Sequence, residues 1–203
     1  MPADQPYKPQ IIKREVRDGS VIFEVQIYLD PLKLKEDDQK HIIEKFGNQI
    51  VKGKHCLDID EDFVRQGIED DEYTGFIYVK NKELQDVATG SFQVYDWCET
   101  GKSQFWINDL CRVTEIEPRP TTSPVRTLLK VLERLAASKF RSVYLMVDKE
   151  EVEKGKLPEL YREKYNFTED VSCVFDDAIA MKKSVRRGGS RNYTRKNVKH
   201  HSK

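Results

Sequence analysis

Gln104-Phe105-Trp106-Ile107-Asn108-Asp109-Leu110-Cys111-Arg112-Val113 begins the stretch that decides the fold, and Phe167 ends it. The first ten residues are rich in aromatic and β-branched side chains and read as a strand. A hydroxyl-rich turn follows from Arg119 to Pro124. From Pro124 to Ser138, Val125, Leu128, Leu129, Leu132, Leu135 and Ala136 recur at helical spacing, with Lys130, Glu133, Arg134 and Lys139 toward the polar side. Ser123 suits the N-cap, and Pro124 suits the first helical position, where its missing N–H costs nothing. Arg141 to Asp148 is a second apolar strand, and a short helix carries Leu160-Tyr161. Two near-continuous apolar strands around one helix imply parallel neighbours joined by a right-handed crossover.

In such a unit the crevice lies at the carboxyl end of the first strand, where the helix start presents free N–H groups and partial positive charge. Thr121, Thr122 and Ser123 add hydroxyls there, and Arg119 and Arg126 add charge. The turn reads either as a phosphate or pyrophosphate site or as plain helix capping.

The order of these pieces resembles the GNAT superfamily of acyl-coenzyme A-dependent N-acyltransferases: strand, pyrophosphate turn, helix, strand, then a helix ending Leu-Tyr-x-x-x-Gly-Phe. The matching segments are Ile107 to Val113, Ser123 to Leu129, Val143 to Val147 and Leu160-Tyr161-Arg162-Glu163-Lys164-Tyr165-Asn166-Phe167. The likeness is best from Gly75 to Lys183 and looser back to Val21. It implies an α/β (α+β) fold, a mixed, mostly antiparallel sheet with flanking helices, and acetyl-coenzyme A as the acyl donor. By this resemblance the backbone of Leu110, Cys111, Arg112 and Val113 faces the pantetheine arm and thioester. Arg119, Thr121, Thr122, Ser123 and Arg126 line the pyrophosphate turn. Tyr161 protonates the departing thiolate, and Asp109 or Glu115 takes the amine proton. Tyr161 also reads as a core aromatic, and the two carboxylates as surface or ion-paired groups. Asn166 stands where the family has Gly, and Asn tolerates the left-handed conformation. Both turn glycines are replaced: Pro124 has no N–H to donate and Arg126 brings bulk. Phosphate contact then falls to the side chains of Arg119 or Arg126.

Outward from this unit, Ser20 to Leu29 reads as a strand stopped by Asp30-Pro31, and Asp37 or Asp38 starts a helix reaching Ile50 with Ile42, Ile43, Phe46 and Ile50 on its apolar stripe. Asp58 to Asp71 is acidic, a rim suited to a cationic acceptor or a solvated helix. Gly75 to Lys80 and Asp86 to Trp97 form a hairpin. Val171 to Phe175 and Ala178 to Lys183 read as a long bent strand or a hairpin around Asp176-Asp177. The resulting division is a flexible arm over 1–19, a GNAT-like domain over 20–183 and a disordered basic tail over 184–203.

Net charge is formally zero, yet the segment after Met181 contains many Lys and Arg and no Asp or Glu, so the body is net acidic. Cys56, Cys98, Cys111 and Cys173 lack Cys-x-x-Cys spacing, which argues against zinc. Their separation and the absence of a signal-peptide pattern point to free thiols in a reducing compartment, cytoplasmic or nuclear. No apolar run has membrane-spanning length. Arg186-Arg187-Gly188-Gly189 and the lysines after it suit a nucleic acid or an anionic protein partner. Two functions stay open: an N-acyltransferase for a cationic amine, polyamine or protein amine, and a catalytically inactive GNAT-fold binding or scaffold protein whose basic tail engages nucleic acid or a protein.

Overall fold

Antiparallel hairpins build one half of the sheet and a single parallel crossover starts the other. The computed structural model describes residues 7–52, 60–83, 85–112, 123–150 and 157–186, with the side chains of 48–52 and 112 left aside. Eight strands form one sheet: β1 (Gln10–Asp18), β2 (Val21–Leu29), β3 (Gly75–Lys80), β4 (Asp86–Tyr95), β5 (Gln104–Arg112), β6 (Ser142–Asp148), β7 (Thr168–Val174) and β8 (Ala178–Ser184). Their order is β1-β2-β3-β4-β5-β6-β8-β7, and only β5–β6 is parallel. The described helices are α1 (Glu36–Lys52), α2 (Glu61–Glu69), α3 (Pro124–Ala137) and α4 (Leu157–Tyr165). This is the mixed, mostly antiparallel sheet with flanking helices that the sequence implies.

The expected flexible arm is corrected at Gln10–Asp18, which is a strand. Gln10–Asp18 pairs with all of β2 through the Gly19-Ser20 turn. Gly19 takes φ 63, the left-handed conformation that a two-residue hairpin demands. The strand is polar because it is an edge: Val16 alone among its residues is buried. At the other end, Val171 and Phe175 belong to a hairpin, β7–β8, rather than to one bent strand.

Each sheet face has its own core. On one face α3 and α4 cover Phe23, Ile77, Phe92, Phe105 and Val143, with Leu128 and Leu132 of α3 fully buried against them. The other face packs Phe76 and Tyr78 against Ile42 and Phe46 of α1 and Val64 and Ile68 of α2. The acidic stretch is thus partly a core helix. Asp60 caps α2 by accepting from the Phe63 N–H at 2.8 Å, and the carboxylates stay outside. Gly90 of β4 lets α3 and β5 approach it closely: a Cβ there would lie 2.7 Å from the Asp109 carbonyl oxygen and 3.2 Å from Leu128.

No described helix covers the second face beyond β5. Trp106 is buried there beneath Tyr144 and Phe175, at ring separations of 4.9 and 6.0 Å, beside Cys173 and Ala180. A disulfide between Cys98 and Cys173, 75 residues apart, ties the β4–β5 turn to edge strand β7. Cys111 is disulfide-bonded as well, and no described cysteine is free. This overturns the expected free thiols, and the cysteine argument for a reducing compartment lapses with them. Linear spacing misled because the bridge joins segments 75 residues apart that only the folded chain brings together. A loop this long makes the bridge worth about 2–4 kcal/mol by restricting the unfolded chain. The variant Cys98→Ser/Cys173→Ser is therefore expected to unfold at clearly lower denaturant, with tryptophan emission shifted to the red as β7 leaves Trp106. Unchanged midpoint and emission would contradict this role.

Candidate active site

The β5–β6 ladder ends after three pairs: Phe105 with Val143, Trp106 with Tyr144 and Ile107 with Leu145. Beyond them β5 continues only against β4, through Asp109 to Arg112, and β6 only against β8, through Met146 to Asp148. The cause is a bulge. On β4, Phe92 pairs with Ile107 and the next residue, Ser91, pairs with Asp109, so Asn108 is the extra residue. One inserted residue bends its strand and re-aims the side chains beyond it. A cleft opens between the carboxyl halves of two parallel strands, and beyond Ile107 β6 no longer pairs with β5.

The bulge also resets the faces. Ile107 points into the α3-side core. Two residues on, Asp109 lies on the α1/α2 side with Ser91, whose hydroxyl donates to its Oδ2. Cys111 shares that side, within the core of Ile42 and Phe46, while Leu110 packs toward α3. The strand residues expected to line a cofactor thus divide between the two walls of the cleft. Burial raises the Asp109 pKa, and the hydrogen bond from Ser91 works against that rise. Tyr73, just before β3, is buried nearby, and burial together with the Asp109 charge pushes its phenol upward.

At the start of α3, Ser123 occupies the N-cap position (φ −72°, ψ 114°), but its side chain makes no capping bond, and Pro124 is buried at the first turn. The expectation of a capping serine is met in position and not in chemistry: the hydroxyl is left to other partners. Arg126 is exposed, and its charge helps to hold the Asp18 carboxyl below its usual range, behind the larger effect of Lys130 at 2.6 Å. Arg126 therefore already has an anion in its field, supplied by the β1–β2 turn. Val113, Glu115, Arg119, Thr121 and Thr122 lie outside the described residues, as does the Arg112 side chain.

Tyr161 sits on α4 against the α3-side core, 5.9 Å from the Phe167 ring and 6.1 Å from that of Tyr165. Burial pushes its phenol up to about 12, so it keeps its proton at neutral pH. Asn166 takes φ 59, and the Phe167 N–H donates to the Tyr161 carbonyl at 3.1 Å. The left-handed role expected of Asn166 is present. Tyr161 and Asp109 stand on opposite faces of the sheet, with the cleft between β5 and β6 separating their sides.

Three solved structures share this architecture. A GNAT-family acetyltransferase from Listeria monocytogenes is 14% identical, with 85% of this chain and 100% of that chain covered and a TM-score of 0.55. The ribosomal-protein-S18-alanine N-acetyltransferase from Escherichia coli is 14% identical, with coverages of 83% and 99% and a TM-score of 0.51. An acetyltransferase from Streptococcus agalactiae is 17% identical, with coverages of 79% and 98% and a TM-score of 0.50. This is the GNAT fold. No protein-family profile and no curated protein matches the sequence.

No group of three or more His, Cys, Asp or Glu able to hold a metal occurs among the described residues. Sequence reasoning missed Ser91 and the bulge at Asn108. Serine in a strand gives no sign of its partner until register is known.

Because the folded pKa of Asp109 is raised, at a pH between the unfolded and folded values the folded state holds a proton that the unfolded chain has already released. The associated stability is full below the unfolded pKa, about 3.9, and is lost as pH rises through the folded value. Asp109→Asn is expected to raise Tm at pH 7, with the gain fading as the pH approaches 4. An equal effect at both pH values would contradict the raised pKa.

Proposed function

We propose that the chain is an acyl-coenzyme A-dependent N-acyltransferase that transfers an acetyl group to a cationic amine, a polyamine or a protein amine. The observation that carries this reading is the β5–β6 cleft. The β5 edge that has left β6 runs along one wall, and the strand carries a buried carboxylate with a raised pKa. Acetyl-coenzyme A would bring an acyl group activated as a thioester. The β6-facing edge of β5 beyond its last pair with β6 at Ile107 fits a pantetheine arm, which carries amides that add to a strand edge. The fit is poorer at α3: Pro124 donates no N–H, so Ser123 and Arg126 side chains would carry the phosphate contact.

Acyl transfer needs a neutral amine and a protonated leaving group. Asp109 takes a proton from the amine nitrogen, and its raised pKa brings it nearer to working pH. Tyr161 retains its phenolic proton for the thiolate side. Acidic residues of α2 and its flanks, Asp60, Asp62, Glu69 and Asp70, are exposed and draw cations toward the same face. General acid–base residues contribute about 10²–10⁴-fold. Asp109→Asn and Tyr161→Phe are each expected to lower kcat by about 10²-fold or more while leaving acetyl-coenzyme A affinity nearly intact. Arg126→Ala is expected to weaken that affinity in a calorimetric titration.

A second reading is favoured by the start of α3. Burial of Pro124 and the Asp18 field on Arg126 both oppose a phosphate, which suits a catalytically inactive GNAT-fold binding protein using its basic tail on nucleic acid or a protein partner. Failure of the chain to bind acetyl-coenzyme A at millimolar concentration, together with nucleic-acid affinity lost on removal of 187–203, would select this second reading.

A further inference from the structure

We infer that Ser91 is the positioning residue of Asp109: its hydroxyl holds the carboxyl group in one orientation beside the β5–β6 cleft. This rests on the reading of that cleft as an acyl-transfer site.

Ser91 is fully buried in the middle of β4, between Gly90 and Phe92. A hydroxyl so placed is costly without a partner. Thr89, one pleat away, is equally buried and its Oγ1 has no hydrogen-bond partner among the described residues. Ser91 differs in having Asp109 directly opposite. Side chains in such a pair leave Cβ atoms about 4.5–5.5 Å apart, a gap that a serine and an aspartate close with one hydrogen bond.

The bulge makes this pairing possible. With regular alternation Asp109 would share the α3-side face with Ile107; the inserted Asn108 turns it to the face of Ser91 instead. Two locally unfavourable features, a broken ladder and a buried hydroxyl, therefore converge on one carboxylate.

The surroundings leave the task to Ser91. From β4, Ser91 faces Asp109; from the segment before β3, the Tyr73 phenol does; on its own strand, the disulfide-bonded Cys111 does. Among the described residues no Lys, Arg or His contributes to its charge state, burial favours the neutral acid, and the Ser91 hydroxyl alone favours the carboxylate. In the transfer step the amine N–H proton moves to the Asp109 oxygen. Ser91 keeps its own proton throughout and acts only through the hydrogen bond.

The test uses the full chain with its disulfides intact. The Asp109 carboxyl is titrated by carbon-13 NMR in the wild type, Ser91→Ala and Ser91→Thr, alongside the pH dependence of kcat/KM for acetyl transfer to an amine. A hydrogen bond to a charged group corresponds to about one pH unit or more. Ser91→Ala is expected to raise the Asp109 pKa by about that amount and to move the acid limb of the rate profile upward equally, with KM for acetyl-coenzyme A unchanged. Ser91→Thr, which keeps the hydroxyl, restores both. Ser91→Val against Ser91→Thr gives the same comparison at matched shape if alanine packs poorly. An Asp109 pKa that does not rise on loss of the hydroxyl overturns the inference, as does a pKa that rises while the acid limb stays in place. If the pKa moves as expected and the wild type acetylates no amine, the acyl-transfer reading fails instead, and Ser91 stands as the group that sets the Asp109 charge.

Discussion

The interaction on which the site depends is the hydrogen-bond ladder between β5 and β6, and above all its early end. Three pairs hold the strands together and fix the crossover through α3. The bulge at Asn108 then takes β5 out of step with its neighbours. Had the ladder continued, β6 would cover the edge of β5 beyond Ile107 and close the cleft. Gly90 permits this arrangement, because any side chain there would meet the Asp109 carbonyl and Leu128 together.

Opening a sheet in its middle weakens the half beyond the opening, and the structure compensates on that side. β6, β8 and β7 have no α1/α2 cover, so Trp106 takes its shelter from Tyr144, Phe175 and the Cys98–Cys173 bridge. Lys182 adds an ion pair with Asp170 at 3.4 Å and lies over the Tyr144 ring. Cys111, near the other end of β5, is disulfide-bonded too. The strand that carries Asp109 is thus braced near both ends, which suits a residue whose direction matters.

Much of the fold was legible in the sequence because it rests on periodicity. The β3–β4 hairpin, α1, α3 and the strands around α3 all announce themselves by alternating or helical apolar patterns, and each lies within a residue or two of its expected span. β1 was not read, because an edge strand needs little apolar content. Asp109 was a candidate from its place at the end of the central strand, yet its face depended on a bulge that no local pattern encodes. Ser91 and the cysteine pairing were invisible for a related reason: each is defined by a partner distant in the chain. At the α3 start, the missing glycines were plain in sequence, whereas the field of Asp18 on Arg126 required the β1–β2 turn to be placed.

An acyl-coenzyme A seated in the cleft between β5 and β6 must lie along the open backbone edge of β5. Amide chemical-shift mapping of the full chain on addition of acetyl-coenzyme A addresses this directly. Saturable shifts are expected at Asn108 to Cys111 on β5 and at Met146 and Val147 on β6, facing each other across the opening. Shifts confined to the basic residues after Arg186, or none at these strands at millimolar ligand, would contradict such a site.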